Sequence, residues 1–232
     1  MEFLDKFFYD KNFFNNKNVR LAIGSIALLV VFVLAFFAHK WYRVSVEQRA
    51  QKAFSDSMEV YKQAMGLELS QESDNKNQSN IWEEVEIAFK TAYLQNKSSS
   101  LAPFLLIYQS ESLIRQGKKE EGYKILSEAV NHISKSSPYY YFYKIKESLM
   151  KFDMNESEKA LQELNKLGND KSNPFRDLAN YYLGEYYWSD NNFDKSKEYF
   201  QKLMANQQQN VSEKVETPWF IMAKLRLQQL DK

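Results

Sequence analysis

The hydrophobic rhythm of the chain changes once. From Leu21 to Ala38 (LAIGSIALLVVFVLAFFA) 18 consecutive residues carry no charge, between Arg20 and His39-Lys40. As a helix this run is roughly 27 Å long, close to the hydrocarbon thickness of a bilayer, and it lacks the polar stripe of a buried core helix. Beyond it the pattern becomes amphipathic. Ala50, Ala53, Phe54, Met58, Tyr61, Ala64 and Met65 recur at spacings of three and four, which predicts a helix continuing from the apolar run. Gly66 is expected to end that helix as a left-handed cap. The polar, unperiodic stretch from Ser70 to Ser79 then reads as a loop. Asn80 with Glu83 predicts the capped start of a helix carrying Ile81, Val85, Ala88, Phe89 and Ala92.

Four prolines punctuate the remainder, at 103, 138, 174 and 218, and the last three follow Ser137, Asn173 and Thr217. A capping side chain followed by proline starts helices, because the first helical N–H needs no intrahelical acceptor. The first two intervals are 35 and 36 residues. Each is too long for one helix but matches a helix-turn-helix unit of the tetratricopeptide (TPR) kind. The third interval carries the pattern best: Leu183-Gly184, Tyr187, Ser196, Phe200 and Leu203, with the turn at Asn191-Asn192. Gly184 and Ser196 take the close-approach positions, Tyr187 and Phe200 the filling ones. Ser110, Gly117 (turn), Gly122 and Leu126 fit the same offsets, as do Ser148, Asn155 (turn), Ala160 and Leu164. Pro218 to Leu230 is expected to be a lone capping helix. The predicted fold is therefore all-α: one N-terminal transmembrane helix, then a TPR-like solenoid of helix hairpins.

Composition narrows the chemistry. Among 232 residues there is no cysteine, which removes disulfides, thiol catalysis and thiolate metal sites together. His39 and His132 are too few and too far apart to suggest a metal site. Four basic and three acidic residues precede the apolar run, leaving 27 of each sign after it, so no electrostatic surplus favours nucleic acid. No phosphate-binding glycine loop, dinucleotide fingerprint or zinc-protease helix occurs. The cluster Glu83, Glu84, Glu86 points in several directions around a helix and reads as solvated surface. The expectation is a binding protein, not an enzyme, with no cofactor and no metal.

The apolar run reads as an uncleaved anchor. A secretory signal would end in small residues, whereas this run ends Ala35-Phe36-Phe37-Ala38, and Glu2, Asp5 and Asp10 argue against a mitochondrial presequence. Trp41 and Tyr42 follow at headgroup depth. Orientation is a tie by charge: Lys6, Lys11, Lys17 and Arg20 precede the span, Lys40, Arg43, Arg49 and Lys52 follow. The leader's Phe3, Leu4, Phe7, Phe8, Phe13 and Phe14 either lie along the membrane interface or belong to an unstructured tail.

The full layout resembles the YfgM family, ancillary subunits of the bacterial SecYEG translocon. The resemblance runs through the charged leader, the single span, the exit Lys40-Trp41-Tyr42-Arg43 and the helix Arg49-Ala50-Gln51-Lys52-Ala53. It continues through the degenerate repeats to Thr217-Pro218, Met222-Ala223-Lys224-Leu225 and Leu230. The chain is richer in Phe, Tyr, Asn and Lys than that family and poorer in Ala. The resemblance implies a bacterial inner-membrane protein with residues 1–20 a cytoplasmic leader, 21–38 the transmembrane helix and 39–232 a periplasmic repeat domain. It implies association with SecYEG and with the membrane-anchored chaperone PpiD, assisting polypeptides that emerge from the channel. A scaffold for cell-envelope assembly or division is the alternative on the same fold.

The first helix of each pair in a TPR array lines its concave face. In register, that places Phe104, Ile107 and Ile114, then Phe142, Ile145 and Leu149, then Tyr181 and Trp188 in a candidate protein-binding groove.

Overall fold

The computed structural model describes residues 17–69, 75–209 and 217–230. The aromatic leader before Lys17 and residues 70–74 of the expected loop lie outside them. The described residues form helices and their connections, with no strand. In chain order these are α1 (Lys17–Leu69), α2 (Asn75–Gln95), α3 (Ala102–Arg115), α4 (Lys119–His132), α5 (Pro138–Asp153), α6 (Ser157–Asn169), α7 (Arg176–Ser189), α8 (Phe193–Gln209) and α9 (Pro218–Leu230).

α1 is one helix of 53 residues with two characters. At about 1.5 Å per residue it is about 80 Å long. Its apolar window is long enough to cross a membrane, and none of that window is buried in the protein. Burial begins at Val46 and continues at Ala50, Ser57 and Ala64, where α2 packs alongside. The last part of α1 thus forms the first hairpin with α2, and Trp82, Val85, Phe89 and Ala92 of α2 fill its core. The pairs α3–α4, α5–α6 and α7–α8 follow, each packed on the next, and α9 closes the stack against α7 and α8.

The three later hairpins turn by the same device. Gly117, Asn155 and Asn191 have φ of 81°, 59° and 57°. In each case the next residue's N–H reaches back five positions (Lys118 to Leu113 O, Glu156 to Lys151 O, Asn192 to Tyr187 O, all 2.9 Å). These are Schellman closures, which need a left-handed residue that glycine and asparagine adopt at least cost. All three residues are those expected to turn.

Close approach follows the repeat pattern. A Cβ on Gly184 would lie 2.4 Å from the Phe200 ring, and one on Gly122 would lie 2.7 Å from Ile114. The serines opposite these glycines donate across the same contacts, Ser110 Oγ to Gly122 O at 2.6 Å and Ser196 Oγ to Gly184 O at 2.9 Å. Buried hydroxyls there satisfy themselves on backbone carbonyls that only a glycine leaves accessible.

Four local expectations are corrected. Gly66 does not end α1, which runs to Leu69 because Met65 packs on the core and Glu68 pairs with Arg115 across to α3. The cost of about 1 kcal/mol for a helical glycine is small beside that packing. Asn80 is not a cap: α2 is already helical from Asn75, so part of the expected loop is helix, since extending a helix is far easier than nucleating one. Ser137 precedes Pro138 without a side-chain cap bond. Pro174 lies two residues before α7, because Asn173 closes a local turn onto the Phe175 N–H at 2.8 Å and sends its amide to Leu167 O. Thr217 accepts from Phe220 N–H at 3.4 Å, and α9 starts at Pro218 as expected.

A candidate protein-binding face on the first helices

α1, α3, α5 and α7 run parallel, since their cross-helix contacts advance together along the chain. Tyr61 meets Tyr108 and Glu111, Phe104 meets Tyr139 and Tyr143, and Phe152 stacks on Tyr186. Side chains on these first helices therefore form rows that cross from one hairpin to the next.

Two rows mark the face. One is aromatic: Phe104 on Tyr139 at 5.4 Å, then Phe142 on Phe175 at 5.5 Å. The other is charged. Glu111 accepts from Lys146 at 2.9 Å and from the Tyr61 hydroxyl at 3.0 Å, and Arg115 joins it to Glu68. At the far end Arg226 of α9 forks onto both Glu185 oxygens, at 3.0 and 3.1 Å, and lies 4.5 Å over the Trp188 ring.

The electrostatics follow from the packing. Burial pushes the Glu111 carboxyl up, but Lys146, the Tyr61 hydroxyl and Arg115 together hold it below the usual carboxylate range. Burial, reinforced by Glu111, pushes Tyr61 up to about 12. Tyr143 is likewise raised to about 12 by burial and by Tyr108 and Glu111. These phenols stay protonated as donors, which suits polar recognition better than proton transfer. Among the described residues no cluster of His, Asp and Glu could hold a metal ion.

The eight expected groove residues divide by depth. Ile107 and Ile145 are 3% and 1% exposed and belong to the cores between helices. Ile114 packs against Gly122, and Leu149 lies against the core shared by α5, α6 and α7. Phe104 and Tyr181 are half-buried. Phe142 keeps 39% of its surface exposed, and Trp188 is half-buried beneath Arg226. The apolar positions nearest the hairpin axis thus serve packing, because α3 and α5 each touch their own partner and both neighbouring hairpins. Phe104, Phe142, Tyr181 and Trp188 remain at the surface. Tyr139, 56% exposed, and the pairs Glu111–Lys146 and Glu185–Arg226 belong to the same face and were not among the expected residues. Tyr139 stands three residues before Phe142, on the same side of α5, which is the one signal that could have found it.

No family model and no curated protein matches the chain. Solved structures do. A kinesin light chain-like protein of Podosopora anserina, built of nearly identical TPR-like repeats and carrying one substitution, superposes with a TM-score of 0.52 at 12% identity, over 76% of this chain and 85% of that one. Its unsubstituted form gives 0.51 at the same identity and coverage. BtubC (BKLC) from P. vanneervenii gives 0.48 at 13% identity, over 80% of this chain and 82% of that one. At such identity the first likeness establishes the fold alone: a TPR-like stack of helix hairpins.

Proposed function

We propose that this protein is a membrane-anchored interaction subunit whose repeats bind other polypeptides, associated with the SecYEG translocon and a PpiD-like membrane-anchored chaperone. Its site would be the bacterial inner membrane, with the leader cytoplasmic, the repeat domain periplasmic and emerging polypeptides as clients. One observation supports the anchored reading above the rest. α1 passes without a break from an exposed apolar stretch into the first hairpin of the TPR-like stack, and an exposed apolar surface of that size marks a membrane or protein contact, of which a bilayer matches its length. The translocon and the chaperone come from the family resemblance set out above. Phe104, Phe142, Tyr181 and Trp188 supply the surface on which an apolar segment of a partner would lie, with Glu111, Lys146 and Glu185 setting its polar register.

The test is photo-crosslinking in native membranes from a reactive residue placed at Phe142 or Trp188. Adducts with translocon subunits or the chaperone are expected. Recovery of envelope-assembly or division proteins instead would replace this reading by the scaffold alternative.

A further inference from the structure

The loops that join successive hairpins, 96–101, 133–137 and 170–175, all lie on one edge of the stack, and the turns at Gly117, Asn155 and Asn191 on the other. A cleft of about 470 Å³ runs between the first two of these loops, lined among others by Lys97, His132 and Tyr139. Tyr141 Oη meets Ser172 Oγ at 2.6 Å to join the third. α1 enters the stack at this same edge. Glu47 of α1 takes the Ser99 hydroxyl at 2.7 Å and the Ser100 amide at 2.9 Å, and Arg43 reaches Ser98 O at 3.1 Å. Burial raises the Glu47 carboxyl, yet the Ser99 and Ser100 bonds outweigh it and hold it below the usual carboxylate range. The joint between anchor and array is therefore built, not incidental.

Charge separates the two edges. Each inter-hairpin loop carries one exposed lysine at an equivalent place, Lys97, Lys135 and Lys171, against the single acid Asp170, which is turned onto Ser172. The opposite edge has Lys118, Lys119, Lys159 and Lys195 against Glu120, Glu121, Asp153, Glu156, Glu158, Asp190 and Asp194. Within a fold neutral overall, the surplus of positive charge is concentrated where the anchor leaves.

We infer that this loop edge rests on the anionic headgroups of the bilayer that holds α1, so that the stack extends along the membrane surface. The inference rests on the anchored reading of α1. α1 has no proline, and α3, α5 and α7 run parallel to it, so a membrane-crossing α1 sets all of them on end and lays the stacking direction along the lipid plane. Glu47 is nine residues beyond Ala38, which puts the edge about 14 Å beyond the hydrocarbon. The headgroup layer fills about half of that, and a lysine side chain together with a Debye length of about 8 Å covers the rest. Each lysine near an anionic leaflet is worth about five-fold in surface residence, so three act on the order of 100-fold. The same geometry would hold the aromatic row at Tyr139 and Phe142 next to the membrane, where a segment leaving the bilayer first becomes accessible.

The test uses the full chain in vesicles of phosphatidylcholine, with and without phosphatidylglycerol. The absence of native cysteine allows a single environment-sensitive probe at Ser136→Cys or, on the far edge, at Glu120→Cys. With the anionic lipid the Ser136→Cys probe is expected to blue-shift and become shielded from an aqueous quencher, while the Glu120→Cys probe does not change. High salt, or the combined Lys97→Glu, Lys135→Glu and Lys171→Glu replacement with unchanged helical circular dichroism, should abolish the difference. Equal quenching of both probes in a chain that resists alkaline extraction overturns the edge contact alone. Release of the chain by alkali overturns the anchored reading, and the edge contact with it. Shielding at Ser136→Cys that is the same without phosphatidylglycerol also overturns the electrostatic contact.

Discussion

Replacing Gly184 by alanine tests the repeat register at its tightest contact. A Cβ there would lie 2.4, 2.7 and 2.9 Å from Cε1, Cδ1 and Cζ of Phe200, whereas carbon atoms in van der Waals contact are about 3.5–4.0 Å apart. The ring must retreat by about 1 Å, yet Phe200 is fully buried among Tyr181, Leu203 and Ala223. Overpacking of this kind costs about 1–3 kcal/mol. Against it stands the helix-propensity gain of about 1 kcal/mol for Gly→Ala. The clash wins, because a fully buried ring places its cost in the upper part of that range, about 2–3 kcal/mol, leaving a net loss of about 1–2 kcal/mol and a melting temperature lower by roughly 2–8 °C for a domain of this size. Gly66→Ala is the matched control, because nothing lies within 4 Å of its new methyl. Only the propensity term acts there, and the melting temperature should rise by about 2–4 °C. Thermal unfolding of the detergent-solubilised chain by circular dichroism measures both. Adding Phe200→Leu to Gly184→Ala should recover part of the loss, a coupling of about 0.5 kcal/mol or more. A Gly184→Ala protein that melts at or above the parent would refute the close-packed hairpin.

The hairpin turns, the charged row and the cap can each be tested separately. Asn191→Val, forced to positive φ, should cost about 1–2 kcal/mol in a urea titration, while Asn191→Gly should hold or improve stability. Glu111 has its folded pKa below the unfolded value, so its contribution is present above the ordinary carboxylate range and lost as pH falls through the folded value. The melting-temperature gap between parent and Glu111→Gln should therefore be widest near neutrality and close in acid. Arg226→Ala removes the fork onto Glu185 and the stacking on Trp188, and amide exchange within α9 should speed up by roughly ten-fold. Arg226→Lys should not restore protection, because an ammonium cannot make the fork.

Local chemistry was legible in the chain itself. The uncharged run from Leu21, the turn residues Gly117, Asn155 and Asn191, the close approach at Gly184 and the start of α9 at Pro218 each depend on a few neighbouring residues, whose steric and hydration limits leave little choice. Where a helix can continue past its local stop signal, the decision passed to distant partners. Gly66 stays helical because Arg115 grips Glu68 from another hairpin, and Asn80 is overrun because α2 packs its core downstream. The candidate face shows the same division. Register along a first helix tells which residues share a side, but not how much of that side two neighbouring hairpins cover. Ile107 and Ile145 went inside, and Tyr139, Glu111 and Arg226 came to the face, because exposure is set by contacts between different helices, whose residues lie far apart in the chain. No local pattern encodes those contacts; only the packed stack does.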